Sequence, residues 1–534
     1  MSEATRAPAD DRAVDGVDDL PADGVAAGDV AVDGVPVDEL AGDGADDLAA
    51  GDVAVDGVPV DDLAAGDVPV DDLAGEGADQ QPPGGGRGRA LARRLAALGA
   101  FRVGVGVAAV LGAVLRAAIV ANRRACVAGA DAAPDCFSGF NDATYYHDQA
   151  NLMAHGHWFQ LTNLTADGPT VLPTALHPPL YSLYLSVFSR FGVTSWDGHR
   201  LATIPIGVAT IVVIALLARR VGGERAGILA AFFAACYPLF WIHDTIVMSE
   251  SLFALLAALV ALTAYRLWDA PGVARSLWVG GLIGLAALTR AEGMLLLVLV
   301  LAPITLGRPE VARRERIRNA VLGLVAAGLV VAPWTIYNAV RFEEPLMGAT
   351  GRVFQQAQCD PTYYGELTGY WSICTASGVP PGSDESQVDP ILFDEARAYL
   401  GDNLGRLPVV VLAREGRLTY LFRADQQVQL NQAFENRGRT AAVLERWAFY
   451  GVAMLGIAGL FLLWRRRVPM SPLLGMVGVS VLATSFLASG VTRYRAPADV
   501  ALVVGAAVAV GALLSWNEHR RESGRHEARI EAGE

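Results

Sequence analysis

Ten apolar blocks leave this 534-residue chain few folds to choose from. They lie at about 98–121, 201–218, 226–243, 246–268, 276–289, 293–307, 319–340, 446–464, 470–490 and 496–516. Several approach the ~20 residues that a helix needs to cross ~30 Å of hydrocarbon, and the pair between 276 and 307 must turn tightly. With 53 % hydrophobic and 18 % charged residues, the chain reads as an all-α polytopic membrane protein of about ten transmembrane helices. The expected organisation is a tail at 1–88, a transmembrane core at 89–340 with a first loop at 122–200, a second loop at 341–445, further membrane helices at 446–516 and a short tail at 517–534.

The net charge of −14 belongs to the tail. Residues 1–80 carry 23 acids against two arginines, whereas the remainder carries 33 acids against 40 arginines. The tail repeats DVAVDGVPVDEL (29–40) as DVAVDGVPVDDL (52–63), followed by DVPVDDL (67–73). These units are small, acidic and free of aromatic residues, so they bury too little surface to offset chain entropy, and disorder is expected. A basic stretch followed by an apolar core, as in a cleavable signal peptide, is missing from the tail, so the first membrane helix is expected to direct insertion.

Arginine placement orients the helices. Basic clusters occur at 87–94, 219–225, 266–275, 308–318, 465–467 and 519–529. If the short Pro-Pro-led segment 178–191 does not cross, both termini are cytoplasmic and every cluster falls on the cytoplasmic side. That segment is therefore expected to lie in the outer interface as a juxtamembrane helix. The outer face then carries both loops, and each loop holds a cysteine pair, Cys126 with Cys136 and Cys359 with Cys374, able to close a disulfide in an oxidising compartment. Cys236 falls in a helix and reads as a small core residue.

Ionisable residues gather at that same face: Asp142, His147, His177, Asp244, Glu250, Arg290, Glu292, Arg493 and Arg495. Interfaces are naturally polar and arginines snorkel, and Arg290 and Glu292 can simply pair with each other. Glu250 is harder to explain that way, because it lies one turn inside an apolar helix. Arg493 and Arg495 run against the positive-inside trend, and a planar guanidinium fork suits a lipid-anchored phosphate.

The stretches Asn141-Asp142-Ala143-Thr144-Tyr145-Tyr146, His177-Pro178-Pro179-Leu180-Tyr181, Arg200-Leu201, Met248-Ser249-Glu250-Ser251-Leu252, Leu288-Thr289-Arg290-Ala291-Glu292-Gly293 and Arg493-Tyr494-Arg495-Ala496-Pro497 form a recognisable ensemble. Together they resemble the GT-C superfamily of polyprenyl-phosphate-dependent glycosyltransferases. The likeness is to the branch holding aminoarabinose transferases of lipid A and protein O-mannosyltransferases, and it spans about 98–516. The resemblance implies a bacterial, actinobacterial source, and a basic complement made only of arginine suggests a GC-rich genome. The resemblance differs in two places: a single Asp142 follows Asn141 where the family often has adjacent acids, and Glu250 stands where relatives have Asp.

The resemblance implies an enzyme of the plasma membrane with an extracytoplasmic active site. It would move a hexosyl or pentosyl group from a polyprenyl-phosphate donor to a hydroxyl of an envelope glycan, lipid or protein, with inversion. The expected catalytic residues are Asp142 as base, with Glu250 and His177. Arg493, Arg495 and Arg290 would bind the donor phosphate, and Tyr145, Tyr146, His147, Tyr181 and Asp244 would line the substrate site. A divalent cation shared by Asp142 and Glu250 is left open, and no nucleic acid is expected as a partner. The rival readings are a lipid-linked sugar transporter and a non-catalytic lipid-binding assembly protein. Against transport, the chain has no inverted repeat and no matched pair of broken helices. In the second loop, Tyr363, Tyr364, Tyr370 and Trp371 read equally as sugar platform or loop core, and the apolar run 407–412 as an interfacial helix.

Overall fold

A computed structural model describes residues 86–126, 136–137, 142–165, 168–342, 350–376, 378–380 and 383–531. The expected disordered tail lies outside the described residues, as does Asn141, up to the start of helix α1 (Gly86–Asn122). Among the described residues six helices are long and apolar enough to cross a membrane: Gly99–Asn122, Trp196–Cys236 (α4), Glu250–Asp269 (α6), Arg313–Arg341 (α9), Arg439–Arg465 (α15) and Thr492–Ser523. Three shorter apolar helices, Val273–Ala287 (α7), Ala291–Leu306 and Ser471–Leu487, lie between them. The 41-residue α4 is two legs, not one, because Gly223 takes φ 85 and the chain reverses there. A Cβ at Gly227 would sit 2.9 Å from the carbonyl oxygen of Ala215, so the second leg packs back along the first. With that division the apolar helices match the ten sequence blocks.

Close packing of these helices uses backbone against backbone. A Cβ at Gly280 of α7 would lie 1.9 Å from Gly323 O of α9, and one at Gly459 of α15 would lie 1.8 Å from Gly505 O. Small residues permit this approach, which supplies dispersion contact where lipid removes the hydrophobic drive between helices. The outward faces stay apolar, with Leu329, Ile336 and Val340 of α9 and Met454 and Ile457 of α15 all exposed. Cys236 is exposed rather than core, which corrects the sequence expectation.

The helices share a basic end. Arg225 pairs with Glu518 at 2.6 Å, Arg220 pairs with Asp269, and Arg308 donates to Trp268 O. These contacts bring four of the arginine-rich segments together. Residues Glu250, Arg290 and Arg493 sit at the other ends of the helices involved.

Beyond that second end lie the two loops. Helix α2 (Asp142–Ala154) leads to an antiparallel hairpin, β1 (Gln160–Thr165) with β2 (Gly168–Pro173), and then to α3 (Leu180–Arg190). The hairpin was not anticipated. Helix α3 has 11 residues, about 16 Å at 1.5 Å per residue, too short to cross hydrocarbon. The second loop folds into α10 (Thr350–Gln356), α11 (Asp360–Tyr363), α12 (Glu385–Asp402), α13 (Leu407–Leu418) and α14 (Ala424–Phe434). Disulfides Cys126–Cys136 and Cys359–Cys374 tie the loops. Loop arginines act as internal clamps: buried Arg414 donates to Ser485 O and Ala357 O, and buried Arg417 to Thr368 O and Glu366 O. Tyr363 and Tyr370 are buried in loop packing, whereas Tyr364 is exposed.

Candidate active site

Three helix starts and one tight turn converge. Asp142 opens α2, Glu250 opens α6, Arg290 precedes the short 3-10 helix Ala291–Met294, and Arg493 lies in the 3-10 helix Thr492–Arg495. A carboxylate in the first turn of a helix is favoured by the exposed N–H groups there. The turn feeding α6 is strained, since the β-branched Val247 takes φ 57. Such outliers persist only where the surroundings enforce them, and they concentrate at functional sites.

The charges interlock. Arg493 donates to Asp142 Oδ2 at 2.7 Å, and its Nε lies 3.7 Å from Glu250 Oε1. Arg290 donates to the same Glu250 oxygen at 2.6 Å and to Glu292 Oε1 at 2.5 Å. Both guanidiniums flank the Tyr494 ring, at 4.9 Å for Arg290 and 5.7 Å for Arg493. His177 Nε2 stands 3.5 Å from Asp142 Oδ1, and its ring packs edge-on to Tyr145 and against Tyr146. Tyr146 donates to Ser249 Oγ at 3.0 Å. Burial pushes the Asp142 carboxyl up, but Arg493, His177 and Arg290 outweigh that and hold it well below the usual carboxylate range. Glu250 Oε2 and Arg493 Nε are buried without a hydrogen bond, a cost that a bound ligand can relieve.

Arg493 also lies 3.8 Å from Glu435 at the end of α14, which sequence reasoning missed. From there a buried series of ion pairs runs inward. Glu435 faces Arg437 at 3.9 Å, Arg437 meets Glu445 at 2.5 Å, and Glu445 meets Arg495 at 3.0 Å. Arg495 then meets Asp499 at 3.0 Å, and Tyr237 donates to Asp499. The acid–base alternation in Phe434-Glu435-Asn436-Arg437 was the available signal. A small pocket opens among Asp142, Glu435, Asn436, Arg493, Phe434 and Met248.

Four expected residues stand apart from this cluster. Arg495 is 2 % exposed and spends its donors on Asp499, Glu445 and Leu418 O. Asp244 is paired with buried Arg116 at 2.6 Å. His147 stacks on Trp196 and meets His199 Nδ1 at 2.9 Å, where burial and His199 lower its pKa to about 3. Tyr181 is fully buried behind Tyr146, with its hydroxyl on Thr203. A divalent cation does not fit the side chains present. Asp142 and Glu250 each already face a guanidinium, and among the described residues no three His, Cys, Asp or Glu side chains gather as a ligand set.

Residues 176–337 match the family model of the dolichyl-phosphate-mannose-protein mannosyltransferases. That segment includes His177, Glu250, Arg290 and Glu292 and excludes Asp142 and Arg493. No curated protein matches the chain. Among solved structures it is similar to the apo oligosaccharyltransferase of Archaeoglobus fulgidus, at 18 % identity and TM-score 0.48, covering 80 % of this chain and 52 % of that one. It is also similar to ArnT from Cupriavidus metallidurans bound to undecaprenyl phosphate, at 18 % identity and TM-score 0.38, covering 76 % of this chain and 77 % of that one. The chain thus spans about half the length of the oligosaccharyltransferase.

Proposed function

We propose that this protein transfers a sugar from a polyprenyl-phosphate donor to an acceptor hydroxyl, with inversion, at the extracytoplasmic face of the plasma membrane. The observation that carries the reading is one carboxylate, Asp142, held ionised beside two guanidiniums at the non-basic ends of apolar helices. The acceptor oxygen attacks the anomeric carbon as its proton passes to Asp142. The bond from that carbon to the phosphate oxygen breaks, and polyprenyl phosphate leaves with the electron pair. Arg493 and Arg290 neutralise the charge that develops on the departing phosphate. Glu250 holds both guanidiniums through one oxygen, and His177 orients Asp142. Arg495 serves the protein from below, as a buried support for the turn that carries Arg493.

The family match supports a lipid-phosphate-linked donor, since its description names a dolichyl-phosphate sugar. The shared basic end of the helices supports the orientation, because arginine-rich segments favour the cytoplasmic side and the site lies at the helices' other ends. Purified protein supplied with a panel of labelled polyprenyl-phosphate sugars tests the reading: release or transfer of label is expected, and none from any donor would remove it.

A further inference from the structure

The pocket beside Asp142 has a second carboxylate that the transfer mechanism does not use. Glu435 is 7 % exposed and lines the pocket, and its Oε2 is buried without a hydrogen bond. That oxygen lies 3.8 Å from Arg493 NH1 and 3.9 Å from Arg437 NH2, beyond hydrogen-bond reach of both. Arg437 NH2 is likewise buried and unbonded. A hydroxyl that enters the pocket beside Glu435 would donate to this oxygen and satisfy it.

This side of the pocket is built rigidly. Asn436 takes φ 49, a left-handed conformation that Asn tolerates. Arg123 grips this residue twice, donating to its carbonyl and to its Oδ1 at 2.7 Å each. Arg437 is anchored by Glu445 and by Thr492 Oγ1 at 2.9 Å, one residue before Arg493. Asp142 and Glu435 thus share one guanidinium nitrogen, Arg493 NH1, at 2.7 and 3.8 Å.

We propose that Glu435, with Arg437 beside it, is the acceptor subsite, and that it binds a second hydroxyl of a sugar acceptor next to the hydroxyl that Asp142 deprotonates. Two neighbouring hydroxyls of one ring reach both carboxylates; the lone hydroxyl of a Ser or Thr side chain reaches one. The inference rests on the glycosyl-transfer reading for the role of Asp142, but sugar binding at Glu435 can be measured without transfer.

The test uses the full chain in nanodiscs, with a panel of methyl glycosides of common hexoses and pentoses as probes. Binding is read by saturation-transfer NMR without donor, and transfer with labelled polyprenyl-phosphate sugar. At least one glycoside should bind the wild type, and Glu435→Gln should weaken it roughly ten- to a hundred-fold while donor KM moves far less. Should that variant fold poorly, Glu435→Asp keeps the charge, withdraws one methylene and should weaken binding in the same direction. No glycoside binding by the wild type, or equal binding by wild type and variants, overturns the subsite. Glycoside binding lost on substitution, in a protein that transfers no label, supports the subsite and removes the transfer reading alone.

Discussion

Arg493 and Asp142, 351 residues apart in sequence, meet through a 2.7 Å hydrogen bond that joins the last apolar helix to the first loop. This pairing sets the protonation state of the carboxylate and the position of the guanidinium together.

A pH prediction follows from the sign of that coupling. Asp142 is depressed below its ordinary value, so its contribution is present above that value and is lost only as pH falls through the lowered one. Arg493→Gln removes the strongest opposition to burial, so the Asp142 pKa rises. The acid limb of the kcat/KM profile should therefore move to higher pH in the variant. An unmoved limb would separate Asp142 from the activity or from Arg493.

Arginine identity should matter at two positions and for different reasons at a third. Arg493→Lys and Arg290→Lys retain charge but lose the planar fork. Each should cost about 1.5–3 kcal/mol of phosphate contact, seen as a roughly ten- to hundred-fold loss in kcat/KM for the donor. Arg495→Ala should instead destabilise the fold by about 3–5 kcal/mol, because it strands Glu445 and Asp499 in a buried site. Thermal unfolding read beside donor kinetics distinguishes the two behaviours.

Sequence pattern revealed this site only in part. Arg290 and Arg493 were legible because each sits where an apolar block ends, Glu250 because it lies one turn inside one, and Asp142 because it is an acid in the first loop. Arg493 and Arg495 looked equivalent two residues apart, yet the 3-10 turn carries one to the pocket and the other to Asp499. Asp244 looked equally available, but its partner Arg116 comes from a helix 128 residues away, and no local pattern announces such a pairing. Glu435 lay in a loop without helical or strand periodicity, where the acid–base alternation with Arg437 was the signal to read. The β1–β2 hairpin did leave a signal, the Asp167-Gly168 pair between threonine-rich stretches.

Topology is checked by labelling single cysteines with a membrane-impermeant reagent. Because the other four cysteines form disulfides, Cys236→Ser alone clears the background. Cysteines placed at Ser195 and Ser383 should react from outside, and one at Gly222 should stay silent. Protection of Ser195 would invert the orientation from α3 onward.

The central claim is that Asp142 takes the acceptor proton in glycosyl transfer, and the decisive measurement is turnover of labelled polyprenyl-phosphate sugar by Asp142→Asn. The amide keeps the volume but removes the basicity and the charge facing Arg493, so some thermal stability is lost and turnover is read on a variant shown to be folded. Turnover should fall by the ~10²–10⁴-fold that a general base contributes. A variant that keeps more than about a tenth of wild-type turnover would contradict that role.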